Sequence, residues 1–155
     1  MTQLVKTEIL TELLLTVFRI NGKLLQDGDV LTAPLGLTSA RWQVLGAIAL
    51  SGAAQTVPDI AGKMGMTRQG AQKQVDRLQA NGLLASRPNP RHKRSPLYAL
   101  TDEGTRAYSA ISERYSKWSE ALSDPLEQEL LEKAMYCLTA IEARLADVDP
   151  TDPKS

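Results

Sequence analysis

The sequence predicts a mainly α-helical chain with one small β-hairpin. Apolar residues recur at three- and four-residue spacing in six stretches, the period that gives a helix one buried face. Most of these stretches are preceded by Thr or Asp, which cap helix starts, and several are followed by glycine, which ends helices. Only two short runs, 83–87 and 97–100, read as extended, and they flank a loop containing Pro88 and Pro90.

The first helix spans Leu4 to Leu25, with Ile9, Leu13, Val17 and Ile20 on one face and Asp27-Gly28 as its stop. A connector with Pro34 and Gly36 follows. Thr38 caps a second helix, lined by Trp42, Leu45, Ile48 and Ala49 and ended by Ser51-Gly52. Thr56 caps a short third helix from Val57 to Met64, with Pro58 in the first turn, where the amides have no intrahelical acceptor. Gly65 breaks the chain. Thr67 caps a fourth helix running to Ala80, whose inward stripe is Ala71, Val75 and Leu78, and Asn81-Gly82 ends it through a left-handed residue. Gly70 weakens that helix by about 1 kcal/mol relative to alanine, which predicts a close backbone approach to the third helix or to a phosphate. After the hairpin, Thr101 caps a fifth helix carrying Ala107, Tyr108, Ile111, Tyr115, Trp118 and Leu122. Asp124 and Glu127 form a capping-box pattern for the last helix, in which Leu131, Ala134, Leu138, Ile141 and Leu145 make a packing seam. The tail after Asp149 is expected to fray.

The 155 residues are 43% hydrophobic, enough for one globular domain with appended helices. No apolar run reaches the roughly 18 residues that span a bilayer, and no signal-type start is evident, so a cytoplasmic protein without membrane contact is expected. With Cys137 the only cysteine and His92 the only histidine, the chain builds no intrachain disulfide, no His/Cys metal cluster and no Ser-His-Asp relay. No Gly-rich phosphate loop is present. Neither a cofactor nor an enzymatic activity is expected.

Charge is more informative. The chain is neutral, yet residues 60–98 hold eight Lys or Arg and one acid, Asp76. A polyanion responds to charge density within a Debye length, about 8 Å at physiological salt, and not to the net charge of the whole. The basic segment coincides with the third helix, the turn, the fourth helix and the hairpin. Two short helices joined by a turn and followed by a basic ribbon make a winged helix-turn-helix, here residues 37–101. A helix about 10–12 Å across enters the major groove, where Arg or Lys reads guanine and Gln reads adenine. The candidate DNA contacts are Thr67, Arg68, Gln69, Gln72, Lys73 and Arg77 on the fourth helix, with Arg91, Lys93 and Arg94 on the wing. Each basic residue alone reads as a solvated face; cap, turn, one-sided polarity and hairpin together favour double-stranded DNA. The helices at 3–27 and 102–147 carry apolar stripes too extensive for a winged domain of about 70 residues to cover, which predicts a homodimer built from both ends of the chain.

The phrases "LTSARWQVLGAIA" from Leu37, "VPDIAGKMGMTRQGAQKQVDRLQANGLL" from Val57 and "LYALTDEG" from Leu97 resemble the MarR family of multiple-antibiotic-resistance regulators in their order and spacing. The resemblance covers nearly the whole chain. It implies a dimeric, ligand-responsive transcription factor, usually a repressor, on a pseudo-palindromic operator, with the fourth helix as recognition helix and the hairpin in the minor groove. It further implies that Phe18, Arg41, Trp42 and Tyr108 contribute to a cavity for a small aromatic or amphipathic effector, although core packing explains the aromatics equally, and Arg41 has Glu12 or an interdomain acid as another partner. The family's wing commonly reads Asp-Pro-x-Asp-Arg-Arg, whereas this chain has Asn89-Pro90-Arg91-His92-Lys93-Arg94. Arg94 matches the minor-groove arginine, and His92 replaces the acid that orients it, so a more basic and less pre-organised wing is expected. His92 is read as a solvated loop histidine, with mild pH dependence of DNA affinity as the alternative. Cys137, among carboxylates, is read as structural. The competing classes are a winged-helix protein-interaction adaptor and, more remotely, a small hydrolase or transferase.

Overall fold

In the computed structural model, which describes residues 2–152, six helices and one hairpin follow the expected order. They are α1 (Thr2–Thr32), α2 (Ser39–Ser51), α3 (Val57–Met64), α4 (Arg68–Ala80), β1 (Leu84–Arg87), β2 (Leu97–Leu100), α5 (Asp102–Ser123) and α6 (Gln128–Asp147), with a 3-10 turn at Ala33–Leu35. The chain divides after Tyr115 into two compact units.

In the first unit α2 is the hub. Val44, Leu45, Ala47 and Ile48 are all buried, so this helix is enclosed on more than the single side its spacing suggests. Ile60 of α3, Val75 and Leu78 of α4, Leu84, Tyr98 and Ile111 complete the same core. Each expected threonine cap is present. Thr38, Thr56, Thr67 and Thr101 accept from the N–H of Arg41, Asp59, Gly70 and Gly104, three residues on in every case. At Thr56 the box is reciprocal, because the Asp59 carboxylate accepts from the Thr56 N–H at 3.2 Å and from its hydroxyl at 2.6 Å. The Thr56 hydroxyl bond, then the backbone one, with Lys63 nearby, holds the Asp59 carboxyl below the usual aspartate value of 3.8.

Two boundaries differ from expectation. α1 does not stop at Asp27-Gly28 but continues to Thr32. A Cβ at Gly28 would lie 2.5 Å from Ser39 Oγ, so the glycine permits close approach to the start of α2. Asp29 Oδ1 accepts from the Ser39 N–H at 2.7 Å, adding a second cap to α2. The buried Thr32 hydroxyl donates toward the Gly28 carbonyl at 2.8 Å, with the Leu37 carbonyl at 3.1 Å. Tertiary contacts thus override the local stop signal, and the helix ends only where Pro34 enters a 3-10 turn closed by Gly36 at φ 69°. The other difference is α6, which starts at Gln128 and not after Asp124; Glu127 is its N-cap, without a side-chain cap bond. The chain turns first, with the Leu126 N–H on the Ser123 carbonyl at 2.8 Å, so Asp124-Pro125 belongs to the turn.

The hairpin pairs antiparallel, with Leu84 opposite Leu100 and Arg87 opposite Leu97. A third edge was not foreseen: Gln55, just before α3, exchanges backbone bonds of 2.9 and 2.8 Å with Tyr98. The start of α5 is fixed to the other end of the hairpin. Thr101 donates to the Gly82 carbonyl at 2.6 Å, and a Cβ at Gly104 would lie 2.1 Å from the Leu83 carbonyl oxygen.

The second unit holds the end of α5 and α6. Leu130, Leu131, Met135, Tyr136, Leu138 and Leu145 are exposed there, Tyr136 by 80%. Cys137 is exposed as well in the single chain. Among the described residues no helix is long and apolar enough to cross a membrane, and no cluster of His, Cys, Asp or Glu could hold a metal ion.

Candidate nucleic-acid interface

α3 ends where Gly65 turns left-handed at φ 61°, and the Met66 N–H closes on the Ala61 carbonyl at 2.9 Å. That turn re-aims the chain, and Thr67 opens α4 at once. A Cβ at Gly70 would meet Thr67 Oγ1 at 2.9 Å. The small residue therefore makes room for the cap itself, and the expected close approach to α3 is not its reason. With Ala71, Val75 and Leu78 in the core, the exposed side of α4 carries Arg68, Gln69, Lys73, Asp76 and Arg77.

The wing meets this face. Arg68, Gln69 and Gln72 of α4, Arg94 and Pro96 of the wing and Val57 of α3 border one depression of about 350 Å³. Four of the sequence-predicted residues are thus brought together: Arg68, Gln69, Gln72 and Arg94. Lys73, Arg77, Arg91 and Lys93 are exposed on the same elements without lining it, and Thr67 is engaged as a cap.

Electrostatically the face is uncompensated. The ion pairs found among the described residues are Arg106 with Glu103, Lys133 with Glu129 and Arg144 with Asp147, all on α5 and α6. The lone acid of the segment, Asp76, accepts from Gln72 Nε2 at 2.7 Å instead of pairing with a base. Such a surface draws phosphate without first having to break internal pairs.

The wing is better ordered than its missing acid suggests. Asn89 Nδ2 donates across the loop to the Ser95 carbonyl at 2.9 Å, while Asn89 Oδ1 accepts from the Arg91 N–H at 3.0 Å. Two backbone turns, His92 N–H on the Asn89 carbonyl and Ser95 N–H on the His92 carbonyl, complete it. The wing motif alone does not single out Asn89; its signal in the sequence is the tendency of asparagine to bond backbone two residues on. His92 is exposed, in keeping with a loop histidine.

The residues suggested for an effector divide. Trp42 and Tyr108 pack partly buried against the core, and Trp42 meets Tyr115 with ring centroids 5.4 Å apart. Phe18 is 73% exposed on α1. Arg41 neither bridges Glu12 nor another acid: its Nε donates to Thr38 Oγ1 and its Nη1 to the Gly36 carbonyl, at 3.4 and 3.3 Å.

Comparison with known proteins places these features. Residues 35–95 match the sequence model of the MarR family. An uncharacterized protein of Mycobacterium tuberculosis is 39% identical over 123 residues, covering 79% of this chain and 85% of that protein. Among solved structures, a MarR family transcriptional regulator from Streptomyces coelicolor superposes with a TM-score of 0.72 at 24% identity, covering 90% of this chain and 96% of that one. CouR from Rhodococcus jostii, solved bound to p-coumaroyl-CoA, gives 0.72 at 21% identity, with 81% and 88% covered. The helix-turn-helix, the hairpin beside it and the long flanking helices are those of these regulators, and the chain belongs to the MarR family of winged-helix transcription regulators.

Proposed function

We propose that the protein is a homodimeric repressor that occupies a pseudo-palindromic operator and is released by a small aromatic or amphipathic ligand. The observation that carries the DNA-binding part is the unpaired basic face shared by α4 and the wing. α4 enters the major groove, Arg68, Gln69, Gln72 and Lys73 reach base edges or phosphates, and Arg94 enters the adjacent minor groove with Arg91 and Lys93 on the backbone. Arg77, in the last turn of α4, adds a phosphate contact.

Dimerisation is supported by apolar side chains with nothing over them in the single chain. Ile9, Val17, Phe18, Ile20 and Leu24 on α1 are exposed, as are Leu131, Met135 and Leu138 on α6. Surfaces of this kind are covered in stable proteins, and a second copy gives the twofold symmetry that an inverted-repeat operator matches. Two recognition helices then sit about 34 Å apart, one turn of DNA.

For the effector, the support is the ring pair of Trp42 and Tyr115, with Tyr108 packed partly buried against the same core as Trp42, together with the thioester of an aromatic acid bound in CouR. An aromatic ring stacks on such side chains, and Arg41 and Phe18 are the candidates for its charged and apolar ends. Occupying the operator blocks transcription in the cytoplasm, and nothing in this role calls for a catalysed reaction.

The test is selection of duplexes from a random library by the purified protein, followed by titration at several salt concentrations. Recovery of an inverted repeat, bound as a dimer and with a steep negative salt slope, is expected. Recovery of no sequence together with salt-insensitive binding would remove the DNA reading and leave a protein-interaction adaptor. A reporter behind the recovered operator fixes the sign, since a repressor lowers its output and an activator raises it.

A further inference from the structure

Resting on the base-reading role given to α4 above, we propose that Asp76 is a positioning residue that decides which edge of the Gln72 amide faces the bases. Gln72 is half-buried at the border of the depression between α4 and the wing. Its Nε2 donates to Asp76 Oδ1 at 2.7 Å, one helical turn further on. A free glutamine amide is two-faced. Half a turn about its last torsion exchanges the carbonyl oxygen for the NH2 group, so it can address either an acceptor or a donor. A carboxylate only accepts, and it therefore holds the nitrogen side and suppresses that exchange.

The edge left facing the groove is Oε1 with the second N–H beside it. This edge matches adenine, whose N6 amino group donates and whose N7 accepts, and it accepts from the N4 amino group of cytosine. Guanine O6 and thymine O4 would meet it oxygen to oxygen. Gln69 borders the same depression, and among the described residues no carboxylate holds its amide, so it stays adaptable. Asp76 is also the single acid among residues 60–98, so its charge opposes phosphate binding. A carboxylate in that position lowers affinity for all DNA and raises selectivity at one step.

The experiment compares duplexes selected by the full chain and by Asp76→Ala, Asp76→Asn and Gln72→Ala. In the wild type one step of each half-site is expected to carry adenine or cytosine, and replacing it with guanine or thymine should weaken binding on the order of tenfold. Asp76→Ala should cut that discrimination to about twofold while raising affinity for unrelated DNA, through loss of the charge and of the fixed amide. Asp76→Asn removes the same charge but offers Gln72 an amide that can donate as well as accept; it should show the same rise in affinity and a preference intermediate between wild type and Asp76→Ala. Gln72→Ala should abolish the preference, and adding Asp76→Ala to it should change nothing more at that step. The inference is overturned if Asp76→Ala retains the wild-type profile, or if Asp76→Asn, whose amide does not fix the edge, discriminates as fully as the wild type. A wild type that selects no sequence overturns instead the base-reading role on which the inference rests.

Discussion

In the wing, Asn89 uses both ends of its amide on the loop itself, accepting from Arg91 and donating to the Ser95 carbonyl. The loop is thereby braced near its start, and Arg94 is presented from a defined backbone. Arg94→Ala is expected to weaken binding most on operators with A·T-rich flanks, where a narrow minor groove concentrates negative potential. Unchanged affinity at moderate salt, measured by fluorescence anisotropy, would remove the minor-groove contact. Asn89→Ala should weaken binding less, by roughly the 1 kcal/mol of a lost hydrogen bond, since the guanidinium remains but its support loosens; a loss equal to that of Arg94→Ala would mean that Asn89 itself touches DNA. The two residues were not equally legible. Arg94 sits in a motif that a sequence displays, whereas the bond from Asn89 to Ser95 spans six residues and depends on the path the backbone takes between two prolines.

Helix starts were the most legible feature because a cap is local: hydroxyl and amide lie three residues apart at Thr38, Thr56, Thr67 and Thr101 alike. Ends set by distant neighbours were not legible. Gly28 carries every local mark of a stop, yet its meaning comes from Ser39, which sequence periodicity does not bring beside it. Gly28→Ala is accordingly expected to destabilise the fold by about 1–3 kcal/mol through overpacking, with Ser39→Gly in the same chain restoring part of the loss because it removes the clashing atoms. Chemical denaturation measures both, and additive losses would show that the two positions do not touch. The capping box at α3 makes a pH-dependent prediction. The folded Asp59 carboxyl titrates below its unfolded value of 3.8, so its contribution is present above that pH and fades as acid protonates the folded form. Asp59→Asn should therefore shift the denaturation midpoint near pH 7 and progressively less as pH falls below about 4. A shift that stayed constant with pH would assign the effect to packing.

At the scale of the molecule, the neutral total conceals a basic segment of residues 60–98 and an acidic remainder, and this separation was plain from the sequence. The apolar stripes of α1 and α6 were equally plain, since period and exposure agree. A charge within such a stripe tests what covers it: Ile9→Glu should convert a dimer to monomers in sedimentation and, by unlinking the two half-site contacts, weaken operator binding by 10²-fold or more. A dimer undisturbed by that change would place the interface elsewhere. α1 also has the proportions of a lever. Its 31 residues, at about 1.5 Å each, form a rod of roughly 46 Å. One end of the rod is clamped at the Gly28–Ser39 crossing and by the Asp29 cap on α2, with Arg114 gripping the Leu31 carbonyl at 2.8 Å. A tilt of about 5° at the clamp would sweep the far end through roughly 4 Å. Leverage runs in the opposite sense as well, so a modest force on the outer turns of α1 would arrive at the first turn of α2 as a larger one, on the helix that carries the core behind α3 and α4.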